Sequence, residues 1–186
     1  MLKFQIKLRD HRVTKSFGGN ARAIFGYRAG NPNGGSTSSH IKQAEADYAW
    51  GEVIDLLDED EDQILIQSTS MDTGADGGFS TVYRLNVNTG KKTKVMRSPV
   101  RNAQFLTDNS GAVRYAVGLN AHNRTEVHSR ADDDSDWVKT ADFAYGEEGA
   151  DPVGFSRDNK SVYQIASPNG GPSALYRLDL ATGQQG

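Results

Sequence analysis

The chain has 186 residues, a formal net charge of −3, 36% hydrophobic residues, 20 glycines and no cysteine. The missing cysteine excludes disulfides and thiolate sites. There is no basic stripe to serve as a nucleic-acid footprint, and no run nears the ~18 apolar residues of a membrane span. Few apolar residues and many glycines suit short strands joined by turns, and the length suits one domain.

Residues 2–8 alternate apolar and polar and read as a strand with one buried face. They lack the apolar core of a secretory signal. Asp10-His11 turns the chain and residues 12–17 return, so 1–20 read as the last strands of a partial unit. Residues 21–27 read as a further strand. Residues 28–40 (RAGNPNGGSTSSH) read as an exposed loop, and 41–50 as a short helical turn. Residues 21–52 together form an irregular, loop-rich insertion.

A first complete unit spans 53–99: a strand over 53–57, the acidic turn 58–62, a buried strand at 64–66, a Gly/Asp-rich loop over 70–80, then strands at 82–87 and 91–96. A second unit spans 100–150, with strands at 103–106, 112–119, 125–130 and 137–143 and an Asp-rich turn at 131–136. A third begins at Asp151. It has strands at 153–155, 162–165 and 174–180, a loop of breakers (SPNGGPS, 167–173), and a tight turn at Ala181-Thr-Gly183 where glycine takes a positive φ. This partial unit (151–186) lacks its outer strand: a fourth is expected and the chain stops.

The units share a frame. Leu57, Phe105 and Phe155 each precede a polar turn and stand 48 and 50 residues apart. The segment VYRLNVNTG (82–90) recurs 93 residues later as LYRLDLATG (175–183), with Tyr, Arg, Leu, Thr and Gly identical. A period near 48 lies within the ~40–50 residues of four-stranded blades. The expected fold class is all-β: an incomplete β-propeller of antiparallel four-stranded blades. An open arc of blades leaves apolar faces and strand edges uncovered, so self-association through open blade edges is expected.

The sequence carries no catalytic constellation. The nearest approach to a nucleophile elbow, Gly154-Phe-Ser156-Arg-Asp158, lacks its second glycine. There is no P-loop and no strand-linked G-x-G-x-x-G. His11, His40, His122 and His128 lack metal-ligand spacing. The five acids at 58–62 lack the calcium-loop spacing and its central glycine, and read as a solvated turn. Asp132–Asp134 with Trp137 come near an Asp-box but lack its glycine, and also read as a turn. Asn123-Arg-Thr125 and Asn159-Lys-Ser161 fit the glycosylation pattern. No catalytic, cofactor or metal residue is assigned. Glu147-Glu148, between two units, is the substrate-gating candidate: an acidic pair at a cavity mouth can hold a peptide amino terminus through charge-assisted hydrogen bonds. An ordinary exposed pair is the plainer reading.

The segments WGEVIDLL (50–57), QILI (63–66), VYRLNVNTG (82–90) and SALYRLDLATG (173–183) resemble the N-terminal propeller of the prolyl oligopeptidase (S9) family of serine peptidases. The dipeptidyl aminopeptidase/acylaminoacyl peptidase-like bacterial members are the most similar. The resemblance covers residues 53–183. It implies a propeller followed by an α/β-hydrolase domain whose Ser, Asp and His cleave peptides through an acyl-enzyme, the propeller capping the active site and filtering substrates by size. No position here matches the triad motifs. The chain is therefore expected to be a lid and substrate-gating segment, not catalytic by itself. Its implied partners are the missing hydrolase domain, the remaining blades and peptide substrates, with no nucleic acid, membrane or cofactor. The implied compartment of the full-length protein is the bacterial cytoplasm or periplasm. The pattern Tyr-Arg-Leu-Asp-x-x-Thr-Gly is also similar to TolB-like propellers, so a module for protein or ligand binding is the alternative.

Overall fold

A computed structural model describes residues 14–17, 20–23, 25, 47–71, 77–167 and 171–186. The strand over 2–8, the turn at Asp10-His11, the loop over 28–40 and most of the helical turn expected at 41–50 lie outside these residues, as do the middles of the loops at 70–80 and 167–173. The described residues are all-β with no helix. Two-, three- and seven-stranded antiparallel sheets account for every strand. The chain divides into two units, Met1–Arg97 and Ser98–Gly186.

In the first unit, β1 (Thr14–Phe17) and β2 (Asn20–Ala23) form an antiparallel pair. β3 (Ala49–Asp55), β4 (Gln63–Ser70) and β5 (Phe79–Asn86) follow as a meander. Ala49 and Trp50, expected within a helical turn, are already strand: they pair with Ser70 and Thr69, and this ladder prevails over local helix preference. Ile64 pairs with Leu85, and Ile66 lies between Val53 and Tyr83. Period-two geometry therefore puts these five on one face. Phe25, fully buried, caps that face with Ala49. A Cβ at Gly51 would come within 2.5 Å of the Phe25 ring, so only glycine leaves room for it. Leu65 points to the opposite face with Val82, and both are buried. The continuous run Ile64-Leu65-Ile66 is thus a strand covered on both sides.

β6 (Lys92–Thr107) is 16 residues long and hydrogen-bonds to β5 on one side and β7 on the other. Its residues 92–97 belong to the first unit and 98–107 to the second.

The second unit continues with β7 (Val113–Leu119), β8 (Thr125–Ser129) and β9 (Val138–Phe143). β10 (Ala150–Phe155), β11 (Ser161–Ala166) and β12 (Ala174–Asp179) form a separate three-stranded sheet. One face of β6–β9 buries Val100, Ala103 and Ala116 with Phe105 and Trp137. The other presents Tyr115, Val117, Val127, Ala141 and Phe143, which pack on Phe155, Val162, Leu178 and Leu180 of the next sheet. The Tyr115 and Phe155 rings lie 5.9 Å apart. Beside them Asn109 clasps the neighbouring turn: its amide donates to Ser156 O at 2.8 Å and to Asn159 Oδ1 at 2.6 Å, and its backbone N–H to Asn159 Oδ1 at 3.0 Å.

Two hairpin ends match bond for bond. After β5, Asn86 Oδ1 accepts from Asn88 N, Thr89 N and Thr89 Oγ1. After β12, Asp179 Oδ1 accepts from Ala181 N, Thr182 N and Thr182 Oγ1. Gly90 N donates to Asn86 O and Gly183 N to Asp179 O, with φ of 74° and 70°. Beyond Gly183 the chain turns back: Asp179 N donates to Gln184 O, and Arg177 and Gly186 exchange both backbone bonds. Residues 184–186 therefore start an antiparallel return along β12.

Candidate functional site

Glu147 and Glu148 sit in the turn between β9 and β10, both exposed. The structure gives them different work. Glu147 Oε2 accepts the N–H of Ala144 at 2.7 Å and an Nη2 hydrogen of Arg124 at 2.9 Å. The Ala144 N–H and then Arg124 hold its carboxyl below the usual carboxylate range. The turn closes through Glu147 N to Ala144 O, and Gly146 at φ 83° supplies the left-handed corner. Glu147 thus fixes its own turn, while Glu148 and the fully exposed Tyr145 project from it. A rigid turn offering an anionic group and an aromatic face can meet a peptide ammonium by charge and by cation–π contact.

Arg124 ties this turn to a chain of charges along β8 and β9. It bonds Asp142 through Nε to the carboxylate and through Nη2 to the backbone oxygen, the latter at 3.2 Å. Lys139 reaches Asp142 at 3.3 Å and Glu126 at 3.4 Å. Glu126 also accepts from Asn120 at 3.1 Å and bonds His128 Nε2 at 3.0 Å. Period-two geometry on β8 puts Glu126 and His128 on the same face, which turns His128 to a carboxylate. Asp142 lies below the ordinary carboxylate range because of Arg124, and Glu126 because of His128. His122 belongs to a different feature: its backbone N–H donates to Asn120 Oδ1 in the β7–β8 turn.

A second polar cluster is internal. Asp108 is buried and accepts from Ser110 N, Ser110 Oγ, Ala112 N and Arg114 Nη1. Burial pushes its carboxyl up, but bonds from Ser110, Arg114 and the backbone outweigh it and leave the group below the usual range. Arg130, also buried, donates to Val113 O at 2.7 Å and to Asp133 O at 3.0 Å, pairs with the Asp133 carboxylate, and lies 4.7 Å over the Trp137 ring. Asp132 accepts from Asp134 N and Ser135 Oγ. The Asp-rich segment is thus a turn knitted by its own carboxylates around Arg130. In the acidic run, Asp60 accepts from Asp62 N and from the Gln63 side chain, and Asp62 takes the Asn88 amide. Among the described residues no three His, Asp or Glu gather to hold a metal.

The sequence singled out Glu147 and Glu148 but not Arg124 or Tyr145. Arg124 showed only as the middle of a glycosylation pattern. The readable signal for Tyr145 is an aromatic beside Gly-Glu-Glu in a connector. No family model matches the chain, and no curated protein matches it.

Proposed function

We propose that this chain is the propeller segment of a serine peptidase of the prolyl oligopeptidase family, a lid that gates substrates and is not itself catalytic. The observation that carries the reading is the bond-for-bond recurrence of one hairpin end at Asn86 and Asp179. It lies in the Tyr-Arg-Leu-x-x-x-Thr-Gly segments that hold the resemblance. Two further features support a propeller. The sheet β6–β9 is apolar on both faces, as a blade between neighbours must be. The three-stranded sheet gains the start of a fourth strand at residues 184–186.

In this role the β9–β10 turn is the gating element. Glu147 and Arg124 hold it in place, and Glu148 with Tyr145 meets the amino terminus of an incoming peptide. Bond cleavage belongs to the Ser, Asp and His of the hydrolase domain, for which this chain supplies no group. Reading the coding sequence on both sides of the segment tests the assignment. A downstream Ser elbow followed by Asp and His supports it. In that case a fluorophosphonate probe labels the full gene product and leaves this chain unlabelled. Further blades without an elbow replace it with the TolB-like binding module, and a stop codon directly after Gly186 overturns it.

A further inference from the structure

Along β3 exposure alternates. Tyr48, just before the strand, Trp50 and Glu52 are exposed, Ala49 is buried, and Gly51 and Val53 are half-buried. Trp50 pairs with Thr69 and Glu52 with Gln67, and Tyr48 continues the ladder by accepting the N–H of Met71. Period-two geometry therefore sets Tyr48, Trp50 and Glu52 in one row, on the face away from the Phe25 core. Trp50 is 50% and Tyr48 41% exposed. Gln67 Nε2 donates to Glu52 Oε2 at 2.8 Å. Among the described residues Gln67 Oε1 is buried and meets no donor, which costs stability. Turning the amide over would aim that oxygen at the Glu52 carboxylate. The bond that holds Glu52 is thus kept at the expense of the other end of the same amide. No Lys, Arg or His among the described residues pairs with Glu52.

We propose that this row binds an arginine side chain presented by a polypeptide. Charge is the first argument. Glu52 is a carboxylate held in place without a cation, and the face of an exposed aromatic ring attracts positive charge as well. Shape is the second. Residues two apart on a strand stand about 6.6–6.8 Å from each other, close to two contact distances of about 3.5 Å. That leaves room for one planar group between the roots of Tyr48 and Trp50. A guanidinium is the planar cation of proteins. It stacks on aromatic faces and donates its fork to a carboxylate, which a lysine ammonium does not. Trp50 and Glu52 are also two apart, so a guanidinium on the ring reaches the carboxylate. Gln67 bonds only Oε2, and Oε1 is left for the fork. The site rests on β3 and its partner strand, not on the peptidase reading or the β9–β10 turn, so the two stand or fall separately.

A nuclear magnetic resonance titration of the intact chain with acetyl-Gly-Arg-Gly-amide tests it. The capped peptide has no amino terminus, so it does not report on Glu148 and Tyr145. The expected result is a saturable shift of the Trp50 indole N–H, with Kd of order 1 mM, while the Trp137 indole stays still. The lysine peptide and the neutral, planar citrulline peptide bind at least about tenfold more weakly. Trp50→Ala abolishes binding and Glu52→Gln weakens it about tenfold, both with an unchanged far-UV circular dichroism spectrum, as exposed positions allow. No saturable shift at Trp50, a lysine or citrulline peptide that binds as well as the arginine peptide, or binding indifferent to Trp50→Ala and Glu52→Gln each overturn the proposal.

Discussion

The first meander, β3–β5, and the last sheet, β10–β12, are written in nearly the same local code and buried differently. Both end a strand in Tyr-Arg-Leu and close it with a side-chain oxygen, a threonine and a left-handed glycine. Yet Ile64, Leu65 and Ile66 of β4 are all buried, whereas on β11 Val162 is buried and Ile165 is half exposed. Local chemistry fixes the hairpin in both places. What covers the second face is decided elsewhere in the molecule.

The largest expected effect measures that difference directly. Ile66→Ala removes a fully buried side chain and costs about 2–5 kcal/mol in urea unfolding. Ile165→Ala, at a concentration where the chain is monomeric, stays within about 0.5 kcal/mol. Comparable losses at both sites would mean that the two sheets are covered alike. Smaller effects test the shared hairpin. Gly90→Ala and Gly183→Ala each force a Cβ into left-handed backbone and lose about 1–2 kcal/mol. No neighbouring atom lies near either added methyl, so the two losses should agree. A large inequality would show that the hairpins differ in strain despite identical bonds. The finest test uses the difference in their accepting side chains, Asn86 against Asp179. Asp179 is held below its ordinary range first by the Thr182 backbone N–H and then by the Thr182 hydroxyl. Its stabilisation is therefore complete above the unfolded carboxyl range and is lost as pH falls through the depressed folded value. Asn86 takes up no proton. Hydrogen exchange between about pH 5 and 2 should show protection fading at the Thr182 amide but not at Thr89, and Asp179→Asn should abolish the fading. Loss at both amides together would rule this account out.

Much of the secondary structure was legible. Residues 64–66, 82–86, 113–119 and 162–165 fall in strands because alternation and flanking breakers act locally. The same holds for the turns at 58–62 and 131–136, whose short carboxylates bond the backbone a few residues on. The start of β3 was not legible: Ala49 and Trp50 are strand because Ser70 and Thr69 pair with them. The asymmetry of Glu147 and Glu148 was hidden as well, since it depends on Arg124, 23 residues away in sequence. Nor could the sequence tell Ile165 from Val162. Both read as apolar strand residues, and only the packing of another sheet separates them.

The Asn109 clasp carries a consequence for chemical ageing. Its amide nitrogen donates to two oxygens, Ser156 O and Asn159 Oδ1. Deamidation exchanges that nitrogen for an acceptor and sets a carboxylate against both. One atom changed by slow hydrolysis would turn a seam that joins two sheets into one that repels them. The same bonds hold the amide still and so slow the reaction. The clasp protects the asparagine on which it depends, and only chains that have already opened there should age quickly.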